Sequence, residues 1–354
     1  MQIAAVGRSF PENYYEQDTL IAALKKLWSG RHYNLERLES LHRNVLVGGR
    51  HLALPLEGYQ KLRSFTDAND AFIRCAVELG ERAIKDGLKA AGLEPGDIDH
   101  LFFVSTTGIA TPSIDAHFIN RLPLRADVKR TPLFGLGCVG GAAGVARATD
   151  YLRAYPSQVA VLVSVELCSL TLQREDLSIA NIIASGLFGD GAAAVVLMGE
   201  QRQRSASSVA GPRVLTSRSV FYPHTERVMG WDITREGFRI VLSADVPRVV
   251  QERTRSDVDR FLADEGLSLD DISTFVCHPG GPKVLQAFQE ALGLPAEALS
   301  ITWDSLRRDG NMSSASVLMV LRETMMEHCP RAGSYGLMIA MGPGFCSELV
   351  LLQW

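Results

Sequence analysis

Three residues far apart in the chain are of types that do covalent or polar chemistry, and each stands where the backbone must turn. Cys138 follows Pro132-Leu133-Phe134-Gly135-Leu136-Gly137 and precedes Val139-Gly140-Gly141-Ala142-Ala143-Gly144, so it falls where a strand or buried loop meets a helix start. The unpaired N–H groups and the positive end of a helix dipole favour a thiolate there, the nucleophilic form of cysteine. The flanking glycines let a substrate carbonyl approach the main chain. A buried structural thiol fits the same stretch, since free cysteines are commonly buried, and the choice depends on what else reaches it.

His278 lies in Cys277-His278-Pro279-Gly280-Gly281-Pro282-Lys283. Two prolines and two glycines stop the preceding strand and present the imidazole from a stiff loop. It is a candidate acid–base group or donor, and equally a satisfied structural histidine. Asn311, in Gly310-Asn311-Met312-Ser313-Ser314-Ala315-Ser316, is either a helix cap or a fixed hydrogen-bond donor.

A large α/β chain must position these groups. From Asp67 the apolar positions Phe72, Cys75, Ala76, Leu79, Ala83, Ile84 and Leu88 recur every three or four residues, which predicts an amphipathic helix ended by Gly92. Residues 97–105, 158–165 and 191–198 read as buried strands; such apolar strands separated by helices predict a sheet covered on both faces. Upstream, the first 65 residues predict a short strand, a helix-prone stretch over 18–42 and an irregular link, with Arg37, Arg43 and Arg50 on the solvated surface.

The second half repeats this grammar. Residues 270–278 follow a helix and a Gly-Leu turn as 97–105 do, Gly310-Asn311 opens a helix as Gly137-Cys138 does, and Met341-Gly342-Pro343-Gly344 echoes Phe188-Gly189-Asp190-Gly191. Matched features in one order predict an internal duplication, divided into halves 1–205 and 206–354. Equivalent elements of two such halves meet near a pseudo-twofold axis, where Cys138, His278 and Asn311 converge.

Composition narrows the function classes. The chain has 354 residues, 46% hydrophobic and 21% charged, with a net charge of -4, so it lacks the general basic footprint of a nucleic-acid binder. No apolar run reaches the ~18 residues of a membrane span, and no signal peptide is expected from the N-terminus. Six scattered cysteines with no C-x-x-C pair suggest neither zinc nor a redox motif, and a cytoplasmic location is expected.

Gly137-Cys138 with Gly140-Gly141, His278-Pro279-Gly280-Gly281-Pro282, Gly310-Asn311-Met312-Ser313-Ser314-Ala315 and Gly342-Pro343-Gly344 together resemble the type III polyketide synthases of the chalcone synthase superfamily. Order and spacing match from about Asp67 to Trp354. Leu133-Phe134-Gly135-Leu136-Gly137-Cys138, the stretch from Val163 to Thr171, and Met341-Gly342-Pro343-Gly344-Phe345-Cys346 resemble more closely the bacterial, especially mycobacterial, members that make alkylpyrones. Ala340 stands where that family has a glycine, a departure its bacterial members share.

The resemblance implies a thiolase-like duplicated fold in five αβαβα layers. It assigns Cys138 as the nucleophile acylated from a fatty acyl-CoA starter, with His278 as its cationic neighbour. His278 and Asn311 donate to the thioester oxygen of a malonyl-CoA or methylmalonyl-CoA extender, stabilising the enolate as carbon dioxide leaves. Repeated condensation and lactonisation then release an alkyl-α-pyrone, without metal or cofactor. By motif position Phe188 separates the coenzyme A tunnel from the reaction cavity, Ile240 replaces a second aromatic of the plant enzymes, and Thr107, Thr111, Cys168 and Thr171 line the cavity. Small side chains at the Cys168 position go with long acyl chains. Arg43 and Lys283 are the candidates for the coenzyme A phosphates, and the loop around Thr111 implies a homodimer. Alternatives are closure to an alkylresorcinol, a single condensation as in ketoacyl synthase III, a cysteine hydrolase, or an acyl-binding protein without turnover.

Overall fold

A computed structural model describes residues 1–31, 34–202 and 211–354. Strands of its first half are β1 (Gln2–Ser9), β2 (Asn13–Glu16), β3 (Gly49–Leu52), β4 (His100–Val104), β5 (Lys129–Leu133), β6 (Val159–Leu167) and β7 (Asp190–Met198); those of the second are β8 (Arg213–Phe221), β9 (Met229–Thr234), β10 (Gly237–Leu242), β11 (Ile272–Cys277), β12 (Tyr335–Gly342) and β13 (Cys346–Gln353). Nine of them form one sheet in the order β11-β12-β13-β8-β1-β7-β6-β4-β5.

Read outward from its middle, that order is the same on both sides. β1, β7, β6 and β4 run antiparallel, antiparallel, parallel in successive pairs, and so do β8, β13, β12 and β11. Only β5 lacks a counterpart among the described residues. The halves join where β1 meets β8 at Gln2 and Arg213. The expected boundary between residues 205 and 206 lies outside the described residues.

The helices complete five layers. Phe65–Ala91 has the predicted apolar stripe, a capping box in which Ser64 Oγ accepts from the Asp67 N–H and Asp67 from the Ser64 N–H, and Gly92 at its end. Such a cap contributes about 1 kcal/mol. The helix covers the outer face of β1, β6 and β7, while Val246–Ala263 and Pro282–Leu292 cover the outer face of the second half. Between the two half-sheets lie Gly140–Ala154 and Ser314–Glu323, in a core drawing residues from both halves. These two helices begin beside the candidate nucleophile and beside Asn311.

The predicted helical stretch over 18–42 forms two helices, Gln17–Leu27 and Leu35–Arg43. The second is begun by Asn34, whose side chain accepts from the Arg37 N–H. Arg50 is not on the surface: it is 3% exposed.

Candidate active site

Cys138 occupies a short 3-10 turn, Gly137–Val139, immediately before the helix Gly140–Ala154. Gly137 holds φ at +53°, and a Cβ there would lie 2.6 Å from Pro343 Cδ. Only glycine therefore lets the Gly342-Pro343-Gly344 loop close against the turn. Gly141 does the equivalent for the central helices: a Cβ there would stand 2.2 Å from the Ser314 carbonyl oxygen.

Asn311 ties the site together. Its main chain bridges to the strand-like backbone at Phe188, with the Asn311 N–H donating to Leu187 O at 2.9 Å and the Gly189 N–H donating to Asn311 O at 3.0 Å. Its Oδ1 accepts from the Ser313 N–H at 2.8 Å and its Nδ2 donates to Gly280 O at 3.3 Å, two residues beyond His278. The side chains of Asn311 and Ser313 also reach the Cys138 sulfur. Ser313 sits in the left-handed region at φ +47°, a conformation costing a non-glycine residue of order 1 kcal/mol or more and typical of functional sites.

His278 follows β11, its N–H donating to Ile339 O at 2.9 Å. Both ring nitrogens are enclosed and have no protein partner, so neither is committed to a structural bond. Burial pushes its pKa down to about 3. Burial likewise pushes the Cys138 thiol up to about 12, with the Ser313 and Asn311 hydrogen bonds only partly opposing it. Desolvation thus opposes the thiolate that a helix start favours. Burial favours the neutral form of both groups.

Near them Glu166 on β6 is fully buried. It accepts from the Thr106 N–H at 3.1 Å, from Thr107 Oγ1 at 2.9 Å and from the Ser314 hydroxyl. Burial raises its pKa despite these bonds. It therefore ties β4, β6 and the Ser314 helix into one polar knot beside Cys138.

A cavity of about 560 Å³ has Cys168, Thr171, Phe188 and Ile240 in its wall. Leu20, Ala23, Leu24 and Leu27, one face of the helix Gln17–Leu27, extend that wall, with Leu52, Leu56 and Leu172. Thr107 instead faces an adjoining cavity of about 430 Å³ and serves Glu166. Thr111 is exposed in the loop after β4 and lines neither cavity. Ile240 pairs across the hairpin with Trp231, whose ring centroid is 6.5 Å from that of Phe188, so an aromatic does stand beside Phe188, supplied by the neighbouring strand.

The two expected coenzyme A contacts are outside this arrangement. Arg43 pairs with Asp18 and Glu39, both at 2.9 Å, and Lys283 is exposed on the helix that follows the histidine loop. Neither lines either cavity. Lys26 and Arg174 do line the larger one. The residues missed from sequence are Trp231, Arg50, Asp190 and Glu166. An acidic residue inside the apolar run 159–167 was the one available signal, because a charge in a fully buried strand demands partners.

The family model for the N-terminal domain of chalcone and stilbene synthases matches residues 1–201, and that for the C-terminal domain matches 213–354. The chain is 49% identical to a 1,3,6,8-tetrahydroxynaphthalene synthase of Streptomyces peucetius subsp. caesius, over 99% of this chain and 93% of that one. It is 37% identical to a putative chalcone synthase of Bacillus subtilis, over 99% and 98%. The crystal structure of the 1,3,6,8-tetrahydroxynaphthalene synthase of Streptomyces coelicolor A3(2), a bacterial type III polyketide synthase, superposes with a TM-score of 0.91 at 30% identity, covering 100% of this chain and 99% of that one.

Proposed function

The chain belongs to the chalcone and stilbene synthase family of type III polyketide synthases, and on that premise we propose that it extends a fatty acyl-CoA starter with malonyl-CoA or methylmalonyl-CoA and releases alkyl-α-pyrones. Enzymes of this family are iterative decarboxylative condensing acyltransferases that act on coenzyme A thioesters. The thiolase-like fold places this chain among them. Among the described residues no helix is long and apolar enough to cross a membrane; a cytosolic site of action is part of the reading.

The observation that carries the fatty acyl starter is the wall of the 560 Å³ cavity. Beside Phe188 and Cys168, about half of it is leucine, alanine, Ile240 and Trp231, with Leu20, Ala23, Leu24 and Leu27 forming one apolar side. That apolar side gains about 0.8 kcal/mol per methylene buried.

In this reading Cys138 attacks the starter thioester carbonyl. Its proton passes to His278, the C–S bond to coenzyme A breaks, and the departing thiolate takes the proton. Because burial favours the neutral form of both groups, the proton moves during the attack. His278 and Asn311 Nδ2 then donate to the thioester oxygen of the extender. The bond to carbon dioxide breaks, its electron pair forms the enolate they stabilise, and the enolate carbon displaces Cys138 from the acyl group. Lys26 and Arg174 at the cavity wall replace Arg43 and Lys283 as the cations set for anionic substrate groups. The functional unit is a homodimer, with the Thr111 loop directed to the partner.

A second reading is favoured by the 49% identical relative, whose name gives 1,3,6,8-tetrahydroxynaphthalene as product. There the chain would be built from malonyl units and closed to carbocycles. Mass spectrometry after incubation with labelled malonyl-CoA, alone and with acyl-CoAs of graded length, separates the two. Alkylpyrones that appear only when an acyl-CoA is added support the first; a labelled hydroxynaphthalene from malonyl-CoA alone sinks it.

A further inference from the structure

Two charged side chains of the larger cavity, Glu57 and Arg50, have no part in the steps above. Arg50, on β3, is 3% exposed yet lines the cavity with Tyr59, Cys168 and Ser169. Gly310, the neighbour of Asn311, lies against it: a Cβ there would meet Arg50 Cδ at 3.1 Å. A buried guanidinium is costly unless its donors are used. Among the described residues one hydrogen bond is found for it, from Nη1 to the Phe188 carbonyl oxygen at 2.7 Å, and Nε has no partner. With five N–H donors in a planar fork, most of its capacity is uncommitted.

Charge balance decides what it takes. Asp190 is 1% exposed and sits within electrostatic reach of Arg50. Its carboxylate accepts from the Ala53 N–H at 2.6 Å, from the Ser169 N–H at 2.8 Å and from the Ser169 hydroxyl, and burial raises its pKa to about 6. At neutral pH the Arg50–Asp190 pair is therefore close to electrically balanced. A full anion set against Arg50 itself, away from Lys26 and Arg174, would upset that balance and lose its own hydration. A neutral carbonyl pair does neither. A 1,3-dicarbonyl can turn two oxygens to one side, as a carboxylate does, and so suits the fork of a guanidinium. A saturated starter offers only its single thioester oxygen.

We propose that Arg50 binds the 1,3-dicarbonyl of the β-ketoacyl chain carried on Cys138, retaining the extended intermediate in the cavity between condensations. The proposal deepens the function given above and needs from it only that such an intermediate forms. No bond is made or broken at Arg50. Its role is to distinguish an extended chain from an unextended one.

Isothermal titration of the intact protein tests this with 2,4-pentanedione against 2-pentanone, and undecane-2,4-dione against 2-undecanone. The wild type should bind each diketone at least tenfold more tightly than its monoketone, and Arg50→Lys should reduce that ratio below threefold. Equal affinity for diketone and monoketone in the wild type overturns the proposal, whether or not the variant folds. In turnover, Arg50→Lys should lose products of two or more condensations at least tenfold more than it loses Cys138 acylation, read by intact mass. Loss of both in equal proportion marks a purely structural arginine and also overturns it. The starter assignment fails separately, through absence of alkylpyrones from the wild type, while the diketone ratio with the short pair does not depend on the starter.

Discussion

At the scale of single residues, the site divides its labour between a thiol that must be acylated and donors that must hold an oxyanion. Cys138→Ala removes the first and leaves the uncommitted His278 ring and Asn311 Nδ2 in place. It should show no acyl adduct by intact mass and at least a thousandfold less pyrone, while malonyl-CoA decarboxylation stays within about tenfold of wild type. Unchanged pyrone output would refute the nucleophile. Asn311→Ala removes a donor to the developing charge, an effect on the order of 10²–10³ in rate, and should depress decarboxylation and condensation together. Decarboxylation at the wild-type rate in that variant would remove Asn311 from the proposed oxyanion contact.

At the scale of elements, the helix Leu35–Arg43 docks against Ile179–Leu187, the helix that ends at Phe188, and His42 is the contact. Its ring is fully buried, Nε2 lies 2.8 Å from Ile182 O, and burial lowers its pKa from 6.5 to about 4. Below pH 6.5 the unfolded chain takes up a proton that the folded chain refuses until about pH 4, so this histidine costs stability as pH falls across that window. The full effect is about 3 kcal/mol. The stability deficit of His42→Gln relative to wild type, measured by urea unfolding, should therefore shrink steadily from pH 7 to pH 4. A constant deficit would mean that His42 titrates alike in the folded and unfolded chain. The helices and strands around this contact were largely legible, because periodicity and turn residues report burial along one element. Phe65–Ala91 and the strand runs came through with small boundary shifts. Arg50 was misplaced because its burial is imposed by Gly189 and Gly310, which are far away in sequence, and Trp231 gave no local sign that it would face Phe188.

At the scale of the whole molecule, duplication explains why residues so distant in sequence meet: the helices after Cys138 and Asn311 are equivalent elements packed between two equivalent half-sheets. The ordered motifs made that architecture readable, whereas the cavity wall, assembled from the first helix, a hairpin and a short turn, had no signature in any one stretch. The duplication is broken at one edge. Among the described residues β5 ends the sheet with no strand on its outer side, and an open edge is a template for another chain. Ile109 and Phe134, 39% and 56% exposed, lie in the loops leaving the same end of the adjoining parallel strands β4 and β5, and Thr111 belongs to the first of these loops. If two copies join here, Phe134 is a central apolar anchor, and replacing it should cost about 2–4 kcal/mol, or roughly 30- to 1,000-fold in dimer affinity. Phe134→Asp should therefore elute as a monomer in light scattering at micromolar concentration, with circular dichroism unchanged and pyrone output falling in step with the dimer fraction. A wild type that is monomeric and fully active under the same conditions would remove the partner from the mechanism, and the cavity would then have to be complete within one chain.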